Sequence, residues 1–280
     1  MLLLPVPALA LAAQAPRPFA HLRSKEIDES SGLARSVRRK GLYWMHNDSG
    51  DVARIFGIRL DGSVVEEHPI ANAKNVDWED IAVDGDTIWI DDCGNNKNAR
   101  RDLGLYKFRE GDWRATFYPV AYPDQTEFPP KTDRRFDCEA IFIRRGKPYL
   151  ITKWRLGPFP GMGAALYRLD TRRTDRPNVL TRLGEKTDLE GWVTAADLSP
   201  NGRELAVLCH LPVPSIWIFD ARGDDRMLSR PIARLKLAAG GSAETAQIES
   251  LAWENDGSLV FGNEGGDLFR VARSSFRPAR

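Results

Sequence analysis

Net charge is what this chain has least of. Forty Lys and Arg stand against thirty-nine Asp and Glu, leaving +1, and so balanced a surface offers no field to hold a nucleic acid or an anionic membrane. The basic runs Arg38-Arg39-Lys40 and Arg134-Arg135 lie between strand-like segments and read as solvated turns. Cysteine is scarce too: Cys93, Cys138 and Cys209 are an odd number, so at least one thiol stays unpaired. Either all three are small buried hydrophobes, or Cys93 and Cys138 are bridged, as suits an oxidising compartment. Long amphipathic helices are missing. The nearest candidate, TDRPNVLTRLGEKTDLEG, is interrupted by Pro177 and two glycines. Beyond residue 15 no apolar run is long enough to cross a bilayer, which takes about 20 residues.

The first fifteen residues, MLLLPVPALALAAQA, are uncharged and end in Ala13-Gln14-Ala15. They lack a basic start, yet an apolar stretch closed by a small-x-small site reads as a secretory signal. The expected organisation is a signal peptide over 1–15 and one domain over 16–280, secreted or periplasmic.

What fills that domain is a repeat. A polar residue, a small or acidic residue and then Ile or Leu open a short apolar run at Ser31-Gly32-Leu33, Glu79-Asp80-Ile81, Glu139-Ala140-Ile141, Ala196-Asp197-Leu198 and Glu249-Ser250-Leu251, with steps of 48, 60, 57 and 53 residues. Each copy runs through a Gly-containing turn into a second strand, as in WEDIAVDG with TIWIDDCG. A third strand follows in every unit and a fourth in most. Three or four antiparallel strands in a repeat of about 55 residues predict an all-β fold, a single β-propeller. Five blades are expected, or six if 142–195 hides a further one. The last unit stops after three strands, and FAHLRSKEI ahead of the first is placed to supply its outer strand and latch the ring shut.

Innermost strands line a propeller's channel, and alternation along a strand points equivalent positions the same way. Ser31, Glu79, Glu139, Ala196 and Glu249 lead these strands, with Thr194 on the same face as Ala196. Three carboxylates on one axis repel one another. A cation held by Ser31, Glu79, Glu139, Thr194 and Glu249 compensates them, and an all-oxygen set suits calcium. The alternative is that these residues cap backbone groups or pair with Arg and Lys. The second strands end in Asn47-Asp48, Asp91-Asp92, Lys153-Trp154, Cys209-His210 and Asn263-Glu264 at the same mouth. Asp48, Asp92, Lys153, His210 and Glu264 are therefore the candidate catalytic groups, while Arg100 and Arg101 read as a solvated loop.

ESSGLARS, WMHNDSGD, VDWEDIAVDG and IDDCGNN resemble a group of bacterial exported β-propeller proteins whose pattern runs E-x-S-G-L, H-N-D-S-G, D-W-E-D-I-A and G-D-I-G-D-N. The resemblance covers nearly all of the chain after residue 25, with one departure: Asn95 stands where the pattern has its second Asp. The order Ser, Glu, Glu, Thr or Ala, Glu at the strand starts is also similar to the calcium-activated nucleotidases (apyrases). That similarity implies a five-bladed propeller with calcium on Ser31, Glu79, Glu139, Thr194 or Ala196, and Glu249. The gluconolactonase-like propellers share the architecture.

Two functions follow. One is a calcium-bearing propeller that binds a small-molecule ligand or a protein at its mouth, with Trp154, Phe159 and Trp192 as an aromatic rim. The other is a calcium-dependent hydrolase of phosphate esters, phosphoanhydrides, esters or lactones, in which Asp48, Asp92 and Glu264 act as bases or support the metal and Lys153 and His210 stabilise negative charge. A monomer is expected, with no nucleic acid partner and no integral membrane segment.

Overall fold

Strands whose two faces are both covered read as near-continuous apolar runs, because neither face meets water. The computed structural model, which describes residues 16–132, 134–154, 162–237 and 247–279, shows this arrangement. Five small antiparallel sheets stand in a ring, forming a five-bladed β-propeller. Blade one comprises Ser30–Arg35, Tyr43–Asn47, Arg54–Ile58 and Val64–Pro69. Blade two comprises Ile81–Asp84, Thr87–Asp92, Gly104–Arg109 and Asp112–Ala121. Blade three comprises Asp137–Arg144, Lys147–Lys153, Ala164–Arg168 and Thr181–Lys186. Blade four comprises Gly191–Leu198, Glu204–Pro212, Ser215–Asp220 and Pro231–Lys236. Blade five comprises Ile248–Asn255, Ser258–Asn263 and Asp267–Ala272, and its outer strand is Ala20–His21 from the N-terminal side, paired with Leu268 and Asp267. The ring is latched as the sequence predicts.

The 142–195 stretch contains no sixth blade. Its residues complete blade three and begin blade four, and Asn178–Val179 pairs in parallel with the outer strand of blade two. Among the described residues no helix is long and apolar enough to cross a membrane. The leader-like segment 1–15 lies outside them.

Adjacent side chains of each inner strand face opposite neighbours. Leu33 packs toward blade five and Ala34 toward blade two; Ile81 packs toward blade one and Ala82 toward blade three. Each of the five blade interfaces thus has its own apolar layer. Trp44 and Trp78 sit between blades one and two, Trp89 between two and three, and Trp253 between four and five, all at most 2% exposed. Burying a large apolar side chain is worth roughly 1.5–3 kcal/mol, so these layers dominate the cohesion of the ring.

The register corrects one expectation. Leu33, Ile81, Ile141, Ala196 and Leu251 stand opposite Met45, Ile90, Leu150, Val207 and Phe261. The leading residue of blade four is therefore Thr194, two places before it, and not Ala196. Ala196-Asp197-Leu198 supplies the Leu of the pattern and Thr194-Ala195-Ala196 its polar lead, and packing selects the earlier frame.

Candidate functional site

One mouth of the channel gathers the starts of the inner strands and the ends of the second strands. The pairing there is broken in four blades, at Gly32, at Glu139, at Trp192 and Thr194, and at Glu249. Such bulges bend a strand end and re-aim a side chain. They turn Glu139, Thr194 and Glu249 to the mouth, while Glu79 stands just ahead of its strand. Gly32 has φ +62, and a Cβ on it would lie 2.7 Å from His46 Nε2. The S-G-L and H-N-D-S-G motifs are thus two halves of one packing contact.

Carboxylates converge here in two overlapping groups. Oxygens of Asp48, Asp77 and Glu79 lie within 4.8 Å of one another, and so do those of Glu79, Asp137 and Glu139. Lys153 enters the second group, with Nζ 2.6 Å from Glu139 Oε1 and 3.8 Å from Asp137 Oδ2. Arg100 stands at the edge of the first, 4.0 Å from Asp77. Burial holds Glu79 well above the usual carboxylate range, and Glu139 adds to this. Glu139 is also raised by burial, against the pull of Lys153. Asp77 is pushed up to about 6, by burial first and then by Asp48. Groups that resist ionisation in this way make a site that favours a cation.

The space is shaped for it. A Cβ on Gly94 would come within 2.2 Å of Glu79 Oε1 and 2.6 Å of Asp77 Oδ2, so the glycine lets the backbone approach both carboxylates. Asp48, Asp77 and Glu79 fit a hard cation by donor type and proximity, and the rest of an oxygen shell is left to water or ligand.

Other predicted residues take varied places. Ser31 Oγ donates to the Glu79 carbonyl at 2.6 Å, and Thr194 Oγ1 to that of Ile248 at 2.8 Å. Both hydroxyls stitch neighbouring blades together. Glu249 is close enough to raise Glu139. Asp48 and Glu264 share the mouth, burial raising both and Asp48 acting on Glu264. His210 is pushed down to about 4, by burial and then by Lys153, and its Nδ1 has no hydrogen-bond partner. Asp92 turns aside to accept from Arg100 at 2.9 Å and from the Asp77 amide at 3.1 Å. Arg100 is thus a structural clamp, and Arg101 stacks 3.9 Å over Phe128. Trp154 is core, 2% exposed, and cannot form part of an aromatic rim; Trp192 is half-buried, and Phe159 lies outside the described residues. Cys93 and Cys138 are neighbours, the Cys138 amide donating to the Cys93 carbonyl at 3.2 Å. Both are buried free thiols, facing the Gly104 carbonyl and Asp91 respectively.

Asp77, Asp137 and Asp80 escaped the sequence reading. Asp77 and Asp137 carry a sequence signal: each stands two residues before a mouth glutamate, in Asp-x-Glu pairs sixty residues apart. Asp80 carries none. Its buried carboxylate accepts from the amides of Ile81, Ile141 and Ala196 at 2.9, 3.1 and 3.2 Å, joining blade two to blades three and four across the channel. Asn95 explains the departure from the motif. Its side-chain amide donates to the Phe136 carbonyl at 3.0 Å, which an aspartate cannot do.

No family model and no curated protein matches this chain. Among solved structures, a chain of the "Crystal Structure of Mitotic Checkpoint Complex" is similar at 11% identity and a TM-score of 0.42, over 86% of this chain and 62% of that one. This chain thus spans about three fifths of that neighbour's length, and a likeness of that degree carries no argument about function.

Proposed function

We propose that this propeller is a ligand-binding protein whose acidic mouth holds a divalent cation of the calcium type on Asp48, Asp77 and Glu79. The observation that carries the reading is the pair of carboxylate groups sharing Glu79, in which Lys153 pairs closely with Glu139 while Arg100 reaches Asp77 only at 4.0 Å. Fixed ammonium on one side and a cation on the other balance the charge. Both then face a ligand with oxygen donors, a small molecule or a protein segment entering from solvent. Calcium suits the set because it tolerates irregular coordination by six to eight oxygens, whereas magnesium demands a tight octahedron. The repeat position Ser31, Glu79, Glu139, Thr194 and Glu249 supports kinship with the exported propellers and the calcium-activated nucleotidases. Export is part of this reading, and rests on the apolar start with its Ala13-Gln14-Ala15 site.

One observation favours a hydrolytic version. His210 is neutral near pH 7 and stands beside Lys153 at the mouth, placed to hydrogen-bond a cation-held ester or phosphoanhydride. Melting and metal analysis test the common core. Purified protein should carry calcium, chelator should lower Tm, and calcium should restore it better than magnesium. Protein free of metal, with Tm indifferent to chelator, would refute it. Turnover of phosphate-ester and lactone panels that is lost with chelator and in His210→Gln separates the hydrolase from the binding protein.

A further inference from the structure

We propose that the opposite mouth of the channel is a second binding site, for a small organic anion: a carboxylate carried on an apolar body. Asp80, with its three amide contacts to blades two, three and four, stands between the two ends of the channel. The far mouth holds a cavity of about 420 Å³ to which all five blades contribute, within the range of pockets that enclose small ligands. The floor is apolar, with Val83, Ile143, Leu198 and Trp253. Two guanidinium groups line it from blades one and three, those of Arg35 and Arg145.

These two arginines differ from their neighbours. Arg144 is clamped by Asp225 and two carbonyls, Arg270 by Glu254 and Arg273 by Glu204. Arg35 and Arg145 form no ion pair or side-chain hydrogen bond among the described residues. The two carboxylates in the lining do not neutralise them. Asp84 acts on Lys107 of its own blade. Asp197 accepts the Trp253 amide at 2.7 Å and feels Arg35 only through space. Two unmatched cations above an apolar floor suit a planar carboxylate held by guanidinium forks with its body on the floor.

The test uses the whole calcium-loaded protein and three isosteric probes: 3-phenylpropionate, its primary amide and 3-phenylpropylamine, titrated by calorimetry. The acid should bind, the amide at least tenfold more weakly, and the amine not measurably. Arg35→Gln and Arg145→Asn, the latter suited to the left-handed backbone at φ 53, should each weaken the acid about tenfold. Arg145 is exposed, so its variant keeps the fold. Stripping calcium should leave the affinity unchanged, since the acidic mouth lies beyond Asp80. Equal binding of acid and amide, no binding of the acid at millimolar concentration, indifference to both substitutions, or loss of binding on chelation would each overturn the proposal.

Discussion

At the residue scale the acidic mouth is an arrangement of partly compensated charge, and Lys153 is its pivot. With Nζ 2.6 Å from a glutamate that is itself 2% exposed, it is one half of a buried pair. Such pairs are costly to break, because removing one partner strands the other: about 3–5 kcal/mol. Lys153→Met should therefore lower the stability of the chelated protein by that order, read by denaturant unfolding. Calcium should return a larger part of the loss than it adds to wild type, because the stranded Glu139 and Asp137 then belong to a cation site. Equal calcium stabilisation in both proteins would show that ammonium and cation do not share a charge balance. Asn95 gives a smaller prediction. Asn95→Asp removes the donor to Phe136 and sets a carboxylate against that carbonyl, at a cost of about 1–3 kcal/mol, which thermal melting measures directly.

At the element scale the ring is closed by two residues, Ala20 and His21, on the outer edge of blade five. The blade-one turn pins them: Arg23 N donates to the Gly62 carbonyl at 2.9 Å, and a Cβ on Gly62 would lie 2.0 Å from the His21 carbonyl oxygen. With φ +85 there, Gly62→Ala is opposed both by sterics and by backbone preference. It should loosen the latch, seen as faster amide exchange along Asp267–Ala272 ahead of any change in blade three. Uniform exchange would mean that closure is not local. Blade count, strand order, latch and the leading glutamates were legible in the sequence because hydrophobic alternation and Gly turns are local signals. The frame of blade four was not, since Ala196 stands where the other blades have Leu or Ile, Leu198 offers a false match, and only interblade packing chooses. Asp77 and Asp137 were legible as Asp-x-Glu pairs. Asp80 was not, because a carboxylate that accepts amides from three blades is defined by ring closure, which no single repeat contains.

For the whole molecule, buried acid couples stability to pH. Burial raises Asp77 to about 6 and Asp91 and Asp197 to about 7. Folded protein thus keeps protons that the unfolded chain, near the ordinary aspartate value of 3.8, has released. Their contribution is fully present below that value and is lost as pH rises through 6 and 7. His46 and His210, lowered by burial to about 4, act oppositely, but only below their unfolded value of about 6.5. In chelator, Tm should fall between pH 6.5 and 8, the range over which folded Asp91 and Asp197 lose their protons. A Tm that rises over this interval would contradict the assignment. The most direct test of the central claim is a calorimetric calcium titration of chelator-stripped protein at pH 7.5, wild type beside Glu79→Gln. Glu79 is the residue common to both carboxylate groups. The account predicts one equivalent of calcium bound by wild type and at least tenfold weaker binding by the variant. No binding by wild type, or identical isotherms for the two proteins, would contradict it.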